Sequence, residues 1–286
     1  MQINPDLLKF LGCPANTAHT LEVRPSSGLY CFGCNKTYPI VQNRVFFSDY
    51  PKNVSSRGVT PASQWSRWRK SNFDYFLHHL GHVSKDRVLF DIGAGPTNFR
   101  ELLLRFDTYV GVDFFPFELV SVVTDLTKTL PFRDASCDIV FVSNVLEHIP
   151  NPNPLLQECY RVLKSGGIII GAVPFLGKVH QAPYDFNRYT NFMLEKILRE
   201  SGFANSEITS LGTLFDTYQS IQRAFFNLLL ESTFSQSRFK HLRTKFLARL
   251  GRKISYTTTS LFQSVFSFVP ASDMYPQGYG FKAVKL

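Results

Sequence analysis

Three groups of residues in this 286-residue chain have the types and spacing to do chemistry. The first is Cys13, His19, Cys31 and Cys34. Cys31-Phe32-Gly33-Cys34 is a C-x-x-C knuckle, and Cys13-Pro14-Ala15-Asn16 is a second knuckle with Asn16 in place of its second thiol. Paired knuckles hold a tetrahedral zinc ion because each short turn presents two ligands about 2.3 Å from one centre. His19 is close enough in sequence to replace the missing ligand. The second group is the stretch Val88 to Phe99, VLFDIGAGPTNF, in which an apolar run meets Asp91 and the turn Gly93-Ala94-Gly95. Glycine has no Cβ and tolerates unusual φ values, so the backbone can pass close to a ligand there. The third group is HQAPYDFNRYT, His180 to Thr190. His180 and then Asp185 are candidate proton acceptors, while Tyr184, Arg188 and Tyr189 are candidates for a substrate wall. Asp185, Arg188 and Tyr189 equally suit a structural ion pair and helix cap.

The elements around these groups alternate strand and helix, the pattern of a parallel α/β sheet. Trp65 to Leu80 has the spacing of an amphipathic helix packed on the sheet. Strands are expected at Arg87–Asp91, Thr108–Val112, Leu119–Thr124, Ile139–Val142, Ile168–Val173, Asn205–Ser210 and 280–285. Loops after the first, fourth and fifth lie at the carboxyl edge, where open α/β sheets bind ligands. A helix Leu155–Leu163 ends at a glycine cap, and a further helix runs from Thr190 to Ser201.

Two cofactors compete for the glycine turn. A dinucleotide fingerprint wants a third glycine where this chain has Asn98, whereas S-adenosylmethionine has no phosphate to cradle. Asp113, at the end of the second strand, suits a ribose in either case. Asp125 suits an adenine amine, and Leu126 the ring face. His148, next to Glu147, is either a base or an ordering group for the loop beneath the cofactor.

The ordered series DIGAGP, VGVD, TDLTKTLPFRDASCDIVFVSNVLEHIPNP and ECYRVLKSGGIIIGAVPF resembles the class I S-adenosylmethionine-dependent methyltransferases over about residues 86 to 212. The resemblance implies an α/β Rossmann-like fold with a seven-stranded sheet of order 3-2-1-4-5-7-6, its last strand antiparallel. It implies that Asp91 and Gly93, Ala94, Gly95 and Pro96 line the methionine portion. Asp113 and Phe114 would meet the ribose, Asp125 and Leu126 the adenine, and Asn144 and Val145 the underside of the cofactor. HQAPYDFNRYT resembles the H-x-x-P-x-D-F-x-R-Y-T signature of a bacterial methyltransferase group linked to polysaccharide and secondary-metabolite synthesis. That implies a small-metabolite or saccharide acceptor and O- or N-methylation. Residues 1–47 resemble the small zinc-ribbon-like domain of methyltransferase activator subunits, on the LL-x-x-L-x-CP start, the second knuckle and the YPI ending. Many members of that family fold without metal.

The expected organisation is therefore a zinc-ribbon-like module at 1–47, a linker rich in Ser, Pro and Gly at 48–63, and a methyltransferase domain at 64–286 with an insertion at 213–275. Five cysteines, no apolar run of 18 residues and no leader-like start point to a cytoplasmic protein. The net charge of +9 favours an anionic partner. Residues 238–254 pair apolar Phe239, Leu242, Phe246, Leu250 and Ile254 with Arg and Lys, which suits peripheral contact with an anionic membrane or an ordinary solvated helix or lid. RNA methylation is a second reading, weakened because no N-P-P-Y motif is present. A non-catalytic S-adenosylmethionine-binding regulator is a third.

Overall fold

The computed structural model describes residues 4–24, 28–49, 59–232, 238–265 and 275–286. The N-terminal part carries helix α1 (Pro5–Leu8) and strands β1 (Leu21–Arg24), β2 (Gly28–Cys31), β3 (Thr37–Tyr38), β4 (Ile40–Val41) and β5 (Arg44–Phe46). Then come α2 (Arg67–Leu80), β6 (Val88–Ile92), α3 (Arg100–Leu103), β7 (Thr108–Asp113), β8 (Val120–Val123), β9 (Cys137–Ser143), α4 (Asn153–Val162) and β10 (Leu163–Pro174). The chain continues through α5 (Asn191–Glu200), β11 (Ala204–Leu211), α6 (Leu214–Ser232), α7 (Arg238–Val265) and β12 (Gly278–Val284).

Strands β1, β2 and β3 form a small antiparallel sheet, and nine strands form a large one in the order β11-β12-β10-β9-β6-β7-β8-β5-β4. β6 pairs in parallel with both β7 and β9, β9 with β10, and β12 lies antiparallel between β10 and β11. The seven strands from β11 to β8 thus run in the 3-2-1-4-5-7-6 order. The sheet has two strands more than the expected seven. β5 adds in parallel to the open edge of β8, Val45 opposite Val122 and Phe46 opposite Val123, and brings β4 with it. An uncovered edge strand presents unpaired N–H and C=O groups, and on β8 Val45 and Phe46 of β5, with the Phe47 amide, pair with them.

Leu7, Leu11, Cys13, Leu29, Cys31, Tyr38, Ile40 and Val45 of the N-terminal part therefore belong to the main core. Leu11 is fully buried and bridges Phe132, the amide of Gly12 donates to the Pro131 carbonyl at 3.0 Å, and the Phe10 ring meets Phe90 edge to face. Side chains of β6 alternate between faces, as a strand requires. Phe90 stacks on Phe132 on the face shared with Leu11, whereas Leu89 packs on the other face with Phe76, Phe99 and Phe141. α2 supplies that second face, and its start is capped by Ser66, whose hydroxyl accepts from the Arg69 amide. The expected glycine cap after α4 is instead a bulge within β10, between Leu163 and Ile168. Most of the expected linker, residues 50–58, lies outside the described residues.

The insertion is a pair of helices. Thr259 donates to Gln222 at 3.0 Å, and Gly251 sits against Phe226. An ion pair of Arg67 with Asp216, 2.7 Å, ties α6 to the start of α2. The outward side of the pair exposes Ile221, Phe225, Leu228, Phe246, Leu250 and Ile254. The side chains of residues 231–244, including Arg238, Phe239, Lys240, Leu242 and Arg243, lie outside the described ones. No helix among the described residues is long and apolar enough to cross a membrane.

Candidate active site

The parallel strands deliver three loops to one edge. After β6, the chain turns at Gly93 (φ +78°) and Gly95 (φ +52°). A Cβ on Gly93 would lie 2.3 Å from Val145 Cγ2, so the turn of the first strand and the end of the fourth fit together only through glycine. Ala94 is buried, and Pro96 lies half-buried beside it. The Asn98 Oδ1 is buried without a hydrogen-bond partner among the described residues, a polar group left over for a ligand.

Asp91 is 3% exposed and accepts from the Tyr109 hydroxyl at 2.7 Å. Burial pushes its carboxyl up to about 7, against the lowering effect of that hydrogen bond. Asp113 accepts from the backbone amides of Gly95 (2.8 Å) and Phe115 (2.9 Å), so it fixes the glycine turn as well as facing the edge. Phe114 follows it, half-buried. Asp125 accepts twice from Thr127, through the amide and the hydroxyl, and Leu126 beside it is buried. Asn144 adopts φ +56°, and its Oδ1 accepts from the Trp68 indole at 3.1 Å. Trp68 and Tyr109 were not singled out from the sequence. Tyr109 precedes its strand's acid by four residues, and Trp68 belongs to a helix read only as packing.

A cavity of about 830 Å³ opens beyond Asn144, between the ends of β9 and β10 and the insertion. Trp68, Pro174, His180 and Gln219 line it, and Arg223, Arg249, Arg252 and Lys253 give it a basic wall. Of the third sequence group, His180 alone borders the cavity. Asp185 is bound by both arms of Arg188, at 2.6 and 2.7 Å, and by the His180 amide at 2.8 Å. The Arg188 guanidinium holds its carboxyl far below the usual carboxylate range, so it is a fixed anion and a poor proton acceptor. Tyr189 is 3% exposed with its hydroxyl on the Leu146 carbonyl, and Thr190 caps α5. Tyr184 is exposed, and its carbonyl accepts from His148 Nδ1. Asp185, Arg188 and Tyr189 thus form the ion pair and support under the loop.

Next to His180 stands Glu147, fully buried, with neither carboxylate oxygen hydrogen-bonded. Burial pushes its carboxyl up to about 8. Burial lowers the His148 pKa.

In the N-terminal part, the ligand atoms of Cys13, His19, Cys31 and Cys34 lie within 4.8 Å of one another. Cys13 and Cys34 Sγ are 3.6 Å apart, and Cys31 Sγ is 3.5 Å from His19 Nδ1. Tetrahedral zinc–thiolate geometry calls for about 3.8 Å between sulfurs, so the four fit one ion. Gly33 leaves room for the His19 ring, which a Cβ there would meet at 2.4 Å. Burial raises the thiol pKa of Cys13 and Cys31. At Cys13 the Tyr38 hydroxyl and the Ala15 and Asn16 amides outweigh it and bring the value down to about 6.

Residues 90–171 match the family model described as a methyltransferase domain. Over these residues the chain carries a methyltransferase domain. An uncharacterised protein of Methanocaldococcus jannaschii is 29% identical over 185 residues, covering 57% of this chain and 87% of that one. An uncharacterised methyltransferase of Mycobacterium marinum is 34% identical over 109 residues, 34% of this chain and 43% of that one. The chain spans about two fifths of the length of the mycobacterial methyltransferases it matches. Among solved structures, phosphoethanolamine N-methyltransferase 2 of Haemonchus contortus in complex with S-adenosyl-L-methionine is 20% identical, with a TM-score of 0.44, covering 76% of this chain and 52% of that one.

The methyltransferase domain thus holds Asp91 buried beneath its glycine turn, and a pH dependence follows. An acid whose folded pKa lies near 7 and whose unfolded pKa lies near 4 stabilises the fold below about pH 4, and that contribution is lost as pH rises to about 7. Asp91→Asn keeps an acceptor for Tyr109 and removes the slope, which is at most about 1.4 kcal/mol per pH unit. Denaturant unfolding of the cofactor-free chain at pH 5, 6 and 8 should show the variant gaining on wild type as pH rises. Parallel curves would disprove it.

Proposed function

We propose that the protein moves the methyl group of S-adenosylmethionine to a hydroxyl or amine of a saccharide or other small metabolite that carries an acidic group. The observation that carries this is the position of Asn144. It follows β9 directly, before Val145, the residue locked to the Gly93 turn, and it also lines the basic cavity. Cofactor and acceptor sides then meet at one strand end. Asp91 with Gly93, Ala94, Gly95 and Pro96 holds the methionine portion, Asp113 and Phe114 the ribose, and Asp125 and Leu126 the adenine. Asn144 and Val145 support the cofactor from beneath. Methyl transfer is an in-line displacement at an activated sulfonium, so alignment and removal of the acceptor's proton are the protein's main tasks. His180 is the loop residue that reaches the cavity, and deprotonation depends on it. Arg223, Arg249, Arg252 and Lys253 are suited to the acidic group.

Calorimetry with S-adenosylmethionine and transfer of labelled methyl groups to saccharide, lipid and RNA fractions test this assignment. Label should enter a saccharide or small-metabolite fraction. His180→Ala should lower turnover at least about tenfold with cofactor affinity within about twofold. Label in RNA would overturn the acceptor assignment, and cofactor binding without transfer to any fraction would make the protein a non-catalytic binder.

The insertion is the wall of the acceptor cavity, and its exposed apolar side chains beside basic ones support docking on an anionic membrane, where lipid-linked saccharides are reached. The chain should sediment with vesicles containing anionic lipid and not with neutral ones at moderate salt. Absence of sedimentation with either removes the membrane from this scheme.

Zinc at Cys13, His19, Cys31 and Cys34 would brace the module whose β5 lies beside the strand leading to Asp125. Purified protein should contain about one equivalent of zinc that survives brief chelation in wild type and is lost in Cys34→Ser. A content below a few hundredths of an equivalent would end this assignment.

A further inference from the structure

Glu147 stands out among the described side chains. Its carboxylate is fully enclosed, and both oxygens lack a hydrogen-bond donor. A buried carboxylate without donors is costly, and the usual remedies are uptake of a proton, a hydrogen-bonded partner or a metal. The groups facing it are two imidazoles. His148 Nε2 is 3.8 Å and His180 Nε2 3.7 Å from Glu147 Oε1, and one ligand atom from each of the three residues fits within a 4.8 Å span. Nitrogen and oxygen ligands sit about 2.0–2.2 Å from a divalent transition-metal ion, so two of them can stand up to about 4.3 Å apart across it.

The far side of each ring supports the same reading. A metal-bound histidine almost always gives its other N–H to a carbonyl or carboxylate, which fixes the ring and leaves the remaining lone pair for the metal. His148 Nδ1 lies on the Tyr184 carbonyl. His180 Nδ1 lies 3.3 Å from both Asp185 Oδ2 and the Lys178 carbonyl. Both Nε2 atoms are thereby turned toward Glu147. The partner now on His148 Nε2 is the side-chain amide of exposed Gln181, 3.1 Å away, a neutral group that can swing aside. Asp185 itself is held as an anion by Arg188, and the ion pair acquires a purpose as the outer support of His180.

We propose that Glu147, His148 and His180 bind a divalent transition-metal ion at the border of the acceptor cavity, with open coordination positions for an acceptor hydroxyl and a neighbouring oxygen. Two histidines and one carboxylate leave such positions free. The role in turnover rests on the methyltransferase assignment above; the binding of the ion does not. An acceptor hydroxyl bound to the ion loses its proton to solvent at a lower pH than when free. Its oxygen then forms the new O–CH₃ bond while the S⁺–CH₃ bond breaks, leaving a methyl ether, S-adenosylhomocysteine and one released proton. The ion selects oxygen over nitrogen acceptors by holding two adjacent oxygens at once, as a saccharide diol can present.

Mn²⁺ is the probe, because thiolate sites bind it poorly and the Cys13 cluster will not compete. The 286-residue chain, stripped with chelator, is titrated with Mn²⁺ and free ion is read by electron paramagnetic resonance. Wild type and Cys34→Ser should each bind about one equivalent. Glu147→Gln and His180→Ala should each weaken binding at least about tenfold while circular dichroism and S-adenosylmethionine calorimetry stay unchanged. No bound Mn²⁺ in wild type, or equal binding in the variants, overturns the site. Methyl transfer that persists undiminished in excess chelator overturns its role and leaves the methyltransferase assignment standing. Mn²⁺ binding in a chain that transfers no methyl group does the reverse.

Discussion

Parallel pairing of β6 with β7 on one side and β9 on the other is the constraint on which the site depends. Asp91 lies opposite Gly111 on β7 and Phe141 on β9, so the three strands finish within two residues of one another at a common edge. Asp91, Asp113 and Asn144 meet there without any loop having to reach across. Gly93 completes the arrangement by letting the chain turn under Val145. A side chain at that point would separate the first strand's turn from the fourth strand's end, and the two halves of the site would part.

Electrostatics at this edge divide sharply between satisfied and unsatisfied acids. Asp113 and Asp125 have backbone donors, and Asp185 has a bidentate guanidinium; these are settled within the chain. Asp91 has a single hydroxyl donor and Glu147 has none, and burial raises both. Free energy spent on keeping such groups dry is commonly recovered when a ligand arrives. Asp91, on β6, and Glu147, in the turn after β9, flank the Gly93 and Val145 contact, so the chain is poorest in compensation where its ligands are expected.

Much of this was legible in the residues. The alternation of apolar runs with helix periods gave the strands in order, and DIGAG, VGVD and SNVLEH marked where the edge would be, because strand ends with an acid or glycine follow from local chemistry. The metal-ligand spacing in the first 34 residues was legible for the same reason, since knuckles are local turns. What stayed hidden depends on distant contacts. β5 joining β8 was masked because Arg44–Phe46 is too short to announce a strand, and its pairing partner lies far along the chain. The burial of Tyr189 and the bidentate hold of Arg188 on Asp185 follow from packing of the loop over residues 146–149, which spacing alone left open between wall and support. Glu147 looked like half of a common dipeptide. Its lack of donors emerges only when His180, from 33 positions later, is folded beside it.

The position of β12 has a consequence for how the chain is made. It is the central strand of one half of the sheet, yet it follows in sequence both strands between which it lies. While residues 204–277 emerge from the ribosome, β10 and β11 each keep an open row of backbone donors and acceptors, and two long helices with apolar surfaces are synthesised in the interval. Non-local pairings of this kind form late, and open edges are where nascent chains associate wrongly. Closure of the gap by Gly278–Val284 also sets Gln277 against Asp216 and Gly212, at the base of the insertion, so the cavity acquires its floor in the same event that joins β10 to β11 through β12.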